Sequence, residues 1–153
     1  MSPIPAFDMA AAHKYFSAHC FNAAWDLIEK PERSAEEDRL MVALNQAAIY
    51  YWLNRPDCEP KRLSVGYWQA SRIQAILGNA ADARNYAEVC RDYSTGQNPF
   101  LLGYAYEAMA RAATVAGNIG EAAKQLALAK EQAALVPEKE DRELLQKDLA
   151  SLE

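Results

Sequence analysis

The sequence predicts an all-α protein of about seven helices that pair as consecutive hairpins, and three observations support this fold class. Alanine, leucine and aromatic residues recur at helical spacing along the chain rather than at strand spacing. Proline, glycine and asparagine divide the chain into seven segments of helical length. Two turn sequences, Gly78-Asn79 and Gly117-Asn118, recur with matching flanks. We therefore expect hairpins at about 6–54, 60–94 and 99–135, and a C-terminal capping helix at 137–152.

The first helix is predicted from about 7 to 29. An apolar stripe at positions i, i+3, i+4 and i+7 consists of Phe21, Ala24, Trp25 and Ile28. The helix should end at Lys30, because the proline that follows disfavours the helical conformation at the residue before it.

The second helix has the clearest predicted start in the chain. Ser34 and Glu37 stand at the spacing of a capping box, in which each side chain accepts a hydrogen bond from the other residue's backbone. The acidic run 36–38 is therefore explained by capping and by the helix dipole rather than by acid–base chemistry. The helix should end near Leu53, and we expect Tyr50, Tyr51 and Trp52 to pack against the first and third helices.

The third and fourth helices are predicted at about 60–77 and 80–93. Gly78 can adopt the left-handed conformation that ends a helix, and Asn79 can cap the next one. A fifth helix should follow Asn98 and Pro99, and a sixth should follow Gly117-Asn118. The seventh is expected to begin at Pro137, with Glu138 and Glu140 in its first turn. Its narrow apolar stripe comprises Leu145, Leu149 and Leu152.

The two glycine turns belong to an internal repeat of 39 residues. Residues 67–72 align without a gap with residues 106–111, and an aromatic residue, a small residue and an arginine recur at the same positions. The pattern resembles the tetratricopeptide family on Tyr67, Ser71, Ala83, Tyr106, Ala110, Ala122 and Leu126. That resemblance implies a right-handed α-α superhelix of stacked hairpins, in which the first helix of each pair lines a concave surface.

The chain also resembles a group of small bacterial helical-repeat proteins, on residues 20–27, 68–72, 104–111 and 140–143. That resemblance implies no activity. Tyr51 departs from the histidine that we would expect of this group before the tryptophan at position 52.

Composition limits the classes of function. The formal net charge of -5 and the lack of a basic run argue against nucleic-acid binding, because phosphate contacts require a basic face. No apolar stretch approaches the roughly 18 residues of a membrane span, and no leader pattern opens the sequence, so we expect a cytoplasmic protein. The odd number of widely spaced cysteines, Cys20, Cys58 and Cys90, indicates reduced thiols that act as small apolar residues.

No motif of an enzyme, cofactor site or metal site is recognisable in the sequence. Glycine loops for phosphate and nucleophile elbows are absent. His13 and His19 are six residues apart, so they point about 240° apart around a helix and cannot share a metal. We expect no cofactor, no metal and no catalytic residues.

A candidate binding face combines Trp68 and Arg72 with the repeat-equivalent Glu107 and Arg111. Tyr104 and Trp25 are expected on adjoining turns. Aromatic rings beside two guanidinium groups suit a carboxylate or a peptide terminus. The alternative is that Glu107 and Arg111 form an ordinary ion pair on a helix surface and that Trp68 is a packing residue.

These observations favour a non-catalytic module that binds a protein or peptide partner. The alternative is a sensing or regulatory domain for an anionic small molecule. An exposed end of the stack is a candidate homodimer interface, and neither nucleic acid nor membrane is expected as a partner.

Overall fold

The computed structural model describes residues 2–153 and confirms an all-α chain that pairs its helices as consecutive hairpins. Within those residues the helices are α1 (Met9–Ile28), α2 (Ala35–Leu53), α3 (Pro60–Ile76), α4 (Ala80–Ser94), α5 (Pro99–Val115), α6 (Ile119–Leu135) and α7 (Lys139–Ala150). None of the helices in this part of the chain is long and apolar enough to cross a membrane.

The chain divides into two compact units, Met1–Cys58 and Glu59–Glu153. The first unit is the α1/α2 hairpin. Its core contains Ala24 of α1 and Met41 and Ala48 of α2, all of them completely buried. Small residues at such positions allow two helices to approach closely.

The start of α2 follows the prediction. The Ser34 hydroxyl accepts from the backbone of Glu37 at 3.1 Å, and the Glu37 carboxylate accepts from the backbone of Ser34 at 2.9 Å. Lys30 pairs with Glu37, and Arg33 donates to Asp38 at 2.9 Å. The acidic run 36–38 thus begins a helix, as its spacing indicates.

The three aromatic residues at the end of α2 differ in burial. Trp52 is buried against Phe21, with ring centroids 5.4 Å apart, and Tyr51 stacks on Phe16 at 5.5 Å. Both therefore pack on α1 as expected. Tyr50 is 60% exposed and contacts Tyr51, so the prediction that it packs against the first helix, as Tyr51 and Trp52 do, is wrong. The side chain of Tyr50 lies on a different side of α2 from Tyr51 and Trp52, which both face α1.

The second unit contains the α3/α4 and α5/α6 hairpins and α7. Gly78 and Gly117 have φ of 79° and 74°, the left-handed conformation expected at these helix ends. Asn118 caps α6 by accepting from the backbone of Glu121 at 3.1 Å. Asn79 occupies the equivalent position but makes no capping bond; its amide donates instead to the side chain of Gln74 at 2.9 Å.

The small residues of the repeat lie where the two helices of a hairpin meet. Ser71 and Ala83 are buried, and the Ser71 hydroxyl donates to the Ala83 carbonyl at 2.8 Å. Ala110, the residue of the α5/α6 hairpin that corresponds to Ser71, is equally buried. This contact explains why the repeat keeps small side chains at these positions.

The last helix, α7, begins at Lys139, two residues later than predicted. Glu138 occupies the N-cap position, where its backbone is extended. Leu145 and Leu149 are buried against Ala129, Ala133 and Val136, and the helix packs on both α5 and α6. The apolar stripe therefore attaches α7 to the α5/α6 hairpin. This attachment brings the C-terminal end of α7 to the candidate site.

Candidate functional site

Five of the six predicted site residues lie together in the second unit. Trp68 and Arg72 are one helical turn apart on α3, and Tyr104, Glu107 and Arg111 follow the same face of the neighbouring α5. Their contacts define the Glu107 cluster, which consists of Trp68, Arg72, Tyr104, Glu107, Arg111 and, from α7, Asp148.

Glu107 is the centre of this cluster and is only 1% exposed. The indole Nε1 of Trp68 donates to its Oε2 at 2.8 Å. On the other oxygen, Oε1, the Nε of Arg111 donates at 2.7 Å and the Nη2 of Arg111 lies at 2.6 Å. A buried carboxylate requires such partners, because an unpaired charge is costly away from water. The interpretation of Glu107 and Arg111 as a surface ion pair is therefore wrong, since Trp68 of α3 lies against the carboxylate.

Arg72 approaches the same carboxylate but is held less tightly. Its Nη1 lies 3.7 Å from Oε1 of Glu107, which is too long for a hydrogen bond. The Nε atom of Arg72 is buried and has no hydrogen-bond partner within residues 2–153. The side chain is 29% exposed. A guanidinium group offers five N–H donors, so Arg72 has donor capacity that the rest of the cluster does not use.

The electrostatics of Arg72 agree with this geometry. Burial lowers the pKa of its guanidinium group, and the neighbouring charge of Arg111 lowers it further, while Glu107 and Asp148 act in the opposite direction. Arginine nevertheless stays protonated near neutral pH. The cluster therefore holds a second, incompletely compensated cation beside the tight pair of Glu107 and Arg111.

Tyr104 forms the aromatic part of the cluster. Its ring meets that of Trp68 edge to face, with centroids 5.4 Å apart and planes at 77°, and it meets Phe100 in the same way at 5.0 Å. Its hydroxyl donates to Oδ2 of Asp148 at 2.7 Å. Burial raises the pKa of Tyr104, and the bond to Asp148 raises it further, so the phenol stays protonated as a donor.

Asp148 and Ser151 are the residues that sequence reasoning missed. The Ser151 hydroxyl donates to the backbone carbonyl of Asp148 at 2.6 Å and lies 3.5 Å from Nη2 of Arg111. Asp148 stands three residues after Leu145 and four before Leu152 of the apolar stripe, and this spacing indicates that its side chain lies beside the packed face of α7. The stripe predicts that α7 docks, but it does not predict at which end of α5 the helix terminates.

Trp25, the sixth predicted residue, belongs to the first unit. There its ring meets Phe21 edge to face, with centroids 6.4 Å apart. The predicted role of Trp25 in ligand binding stays a prediction.

The chemistry of the Glu107 cluster suits binding. Two guanidinium groups and two carboxylates lie close together with two aromatic rings at their side, and Glu107 is occupied by donors on both oxygens. Within residues 2–153, no group of three or more histidine, cysteine or acidic side chains could hold a metal ion. Arg72 is the group best able to accept a further partner, and its natural partner is an anion.

Comparison with known proteins does not add a relative. No protein-family model, curated protein or solved structure matches this chain.

Proposed function

We propose that this chain is a non-catalytic, tetratricopeptide-like module that binds a carboxylate of a protein or peptide partner through Arg72. The observation that carries the proposal is that two guanidinium groups approach one buried carboxylate and that only one of them, Arg111, is hydrogen-bonded to it. Arg72 has an unpartnered Nε within the described residues and is partly exposed. An incoming carboxylate would pair with the exposed part of this guanidinium group.

The energetics favour such a ligand. A hydrogen bond to a charged group contributes about 1.5–3 kcal/mol, and a guanidinium group can engage a carboxylate through two parallel bonds. Trp68 is held in place by its bond to Glu107, and Tyr104 by its bond to Asp148. Since these side chains are already ordered, a ligand that packs on the rings would lose little affinity to their immobilisation.

The arrangement of helices gives weaker, analogical support. Arg72 and Arg111 lie on the first helices of two consecutive hairpins, and in stacked helical repeats these helices line the binding surface. Fold alone does not assign function, so the proposal depends on the side chains of the cluster.

The test measures binding of peptides that differ only at the C-terminus. A peptide with a free C-terminal carboxylate is compared with its amidated counterpart by fluorescence polarisation, on wild-type protein and on Arg72→Ala and Arg72→Lys variants. We expect the free carboxylate to bind at least about tenfold more tightly to wild type, Arg72→Ala to abolish that difference, and Arg72→Lys to retain part of it. The matched control is Arg84→Ala, which removes an exposed arginine of α4. A preference that persists in Arg72→Ala would reject the site.

The second candidate is the sensing of an anionic small molecule. It is favoured because the site offers few groups to a ligand: the partly exposed guanidinium group of Arg72 and the two aromatic rings of Trp68 and Tyr104. A metabolite present at a hundred times its dissociation constant would stabilise the fold by about 2.7 kcal/mol. Thermal unfolding with a panel of carboxylates therefore distinguishes this candidate, because it requires no peptide.

A further inference from the structure

We infer that the Glu107 cluster selects a singly charged carboxylate against a doubly charged phosphate, and that Asp148 is the residue that determines this selectivity. The inference rests on the proposed function and adds to it the charge class of the ligand. Geometry alone does not make this choice, because the planar fork of an arginine fits carboxylates and phosphates equally well.

The first argument is the balance of charge around Arg72. The charged groups that act on it are Arg111, Glu107 and Asp148, so two cations face two anions. The phenol of Tyr104 also experiences Asp141, a third carboxylate of the neighbourhood. A ligand with one negative charge can pair with the exposed part of Arg72, which Glu107 approaches only to 3.7 Å. A second negative charge on the ligand finds no further cation and is repelled by the carboxylates.

The second argument is that neither carboxylate of the cluster can turn away. Glu107 is buried and held by donors on both of its oxygens. Asp148 is held by Tyr104 at 2.7 Å, on a helix whose neighbouring residues Leu145 and Leu149 are buried. Repulsion at such a partly buried site is stronger than in water, and it is screened less by salt than repulsion between exposed charges.

The third argument identifies Asp148 rather than Glu107 as the adjustable group. An asparagine at position 148 has a carbonyl oxygen that can still accept the Tyr104 hydroxyl, so Asp148→Asn removes one negative charge and keeps the contact. In Glu107→Gln, by contrast, the amide nitrogen would face either Trp68 or Arg111, both of which are donors. Asp148 is therefore the position at which the charge balance can be changed without disturbing the core of the cluster.

The experiment titrates the full-length protein with two probes, N-acetylphenylalanine and inorganic phosphate, at pH 8, where phosphate is mostly doubly charged. The readout is the NMR signal of the Trp68 indole N–H, assigned from its loss in Trp68→Phe. We expect wild type to bind the carboxylate at least about tenfold more tightly than phosphate, and Asp148→Asn to reduce this ratio to about threefold or less. The matched control is Glu143→Gln, which removes an exposed carboxylate from the same helix and should keep the wild-type ratio.

The outcomes separate the inference from the proposed function. If both probes bind wild type within about threefold of each other, or if the ratio is unchanged in Asp148→Asn, the selectivity is overturned and the carboxylate site survives. If phosphate binds and the carboxylate does not, the selectivity is overturned in favour of a phosphorylated ligand. If N-acetylphenylalanine produces no shift in wild type, the proposed function itself fails. The wild-type ratio requires no variant, so the test does not depend on the folding of Asp148→Asn.

Discussion

The Nη2 of Arg111 lies 2.6 Å from an oxygen of Glu107, and the side chain of Glu107 is only 1% exposed. This pair stands one turn apart on α5, the spacing of an ordinary helix-surface ion pair. Because Glu107 is buried, the pair matters more for stability than a surface pair. A carboxylate inside the protein that loses its cation destabilises the fold far more than one in water does.

Removal of Arg111 should therefore destabilise the protein far more than removal of Arg72. Arg111→Ala leaves Glu107 buried with a single distant cation, and we expect the free energy of unfolding to fall by about 3–5 kcal/mol. Arg72→Ala should change it by about 1 kcal/mol or less, because the contact at 3.7 Å is long and because a repulsion between cations is relieved. Urea denaturation measures both values.

The control for this comparison is Arg84→Ala. Arg84 pairs with Glu88 at the same one-turn spacing, but its side chain is 62% exposed, so the expected loss is about 0.5 kcal/mol. Equal losses for the Arg84 and Arg111 variants would show that burial of Glu107 does not matter.

A methyl group at position 103 should disturb the attachment of α7. A Cβ built on Gly103 would lie 2.6 Å from Cδ2 of the buried Leu145 and 3.4 Å from the Cβ of Gln132. We expect Gly103→Ala to lower the free energy of unfolding by about 1–3 kcal/mol, as is typical of overpacked cores.

Two further variants test this explanation. In a Leu145→Ala background, the same glycine substitution should cost much less, because the clashing atom is gone. Gly120→Ala, near the start of α6, meets its nearest atom only at 4.0 Å, and it should stabilise the helix by up to about 1 kcal/mol. A Gly103→Ala protein as stable as wild type would contradict the close approach of α5 and α7.

The three thiols should differ in reactivity. Cys20 and Cys90 are buried and Cys58 is partly exposed, so a thiol reagent at pH 8 should modify one cysteine rapidly and the other two only after unfolding in urea. Mass spectrometry of the labelled peptides identifies the site. Rapid labelling at Cys90 in the folded protein would contradict its burial.

Cys90 should also contribute to alkaline unfolding. Burial raises the pKa of Cys90 from 9.0 to about 11. Between those values the unfolded chain loses the proton while the folded chain keeps it, so stability falls as pH rises from about 9 to about 11. We expect Cys90→Ala to show a shallower decline over this range than wild type.

The capping box of α2 should weaken in acid. The bond to Lys30 lowers the pKa of Glu37 below 4.5, and the bond to the Ser34 backbone lowers it further. A carboxyl group with a lowered pKa stabilises the fold above its unfolded-state pKa and loses this effect as pH falls through its folded-state pKa. The stability difference between wild type and Glu37→Gln should therefore shrink progressively as pH falls below 4.5. Glu36→Gln removes a charge from the same turn but keeps the capping box, so it should show no comparable dependence.

Helical spacing and turn chemistry were sufficient to predict the seven helices of residues 2–153, because those signals are local. The 39-residue repeat also placed Arg72 and Arg111 at equivalent positions, and both approach one carboxylate in the structure. The capping bond of Asn118 followed from its sequence, whereas Asn79 at the equivalent position makes no capping bond and donates its amide to Gln74.

The burial of Glu107 and the role of Asp148 could not be predicted from local pattern. Both depend on which helices meet, and Asp148 is separated from Tyr104 by 44 residues. Tyr50 illustrates the same limit, because an aromatic residue at helical spacing reveals its environment only when the neighbouring helix is known.

The bond between Trp68 and Glu107 joins two positions that correspond in the repeat, one from each copy. A donor in one copy thus meets an acceptor in the other, and the two copies are complementary rather than interchangeable. If either hairpin were duplicated beside itself, two tryptophans or two glutamates would meet where one of each now stands. Adding a hairpin at this junction would therefore require a newly matched donor and acceptor in place of Trp68 and Glu107.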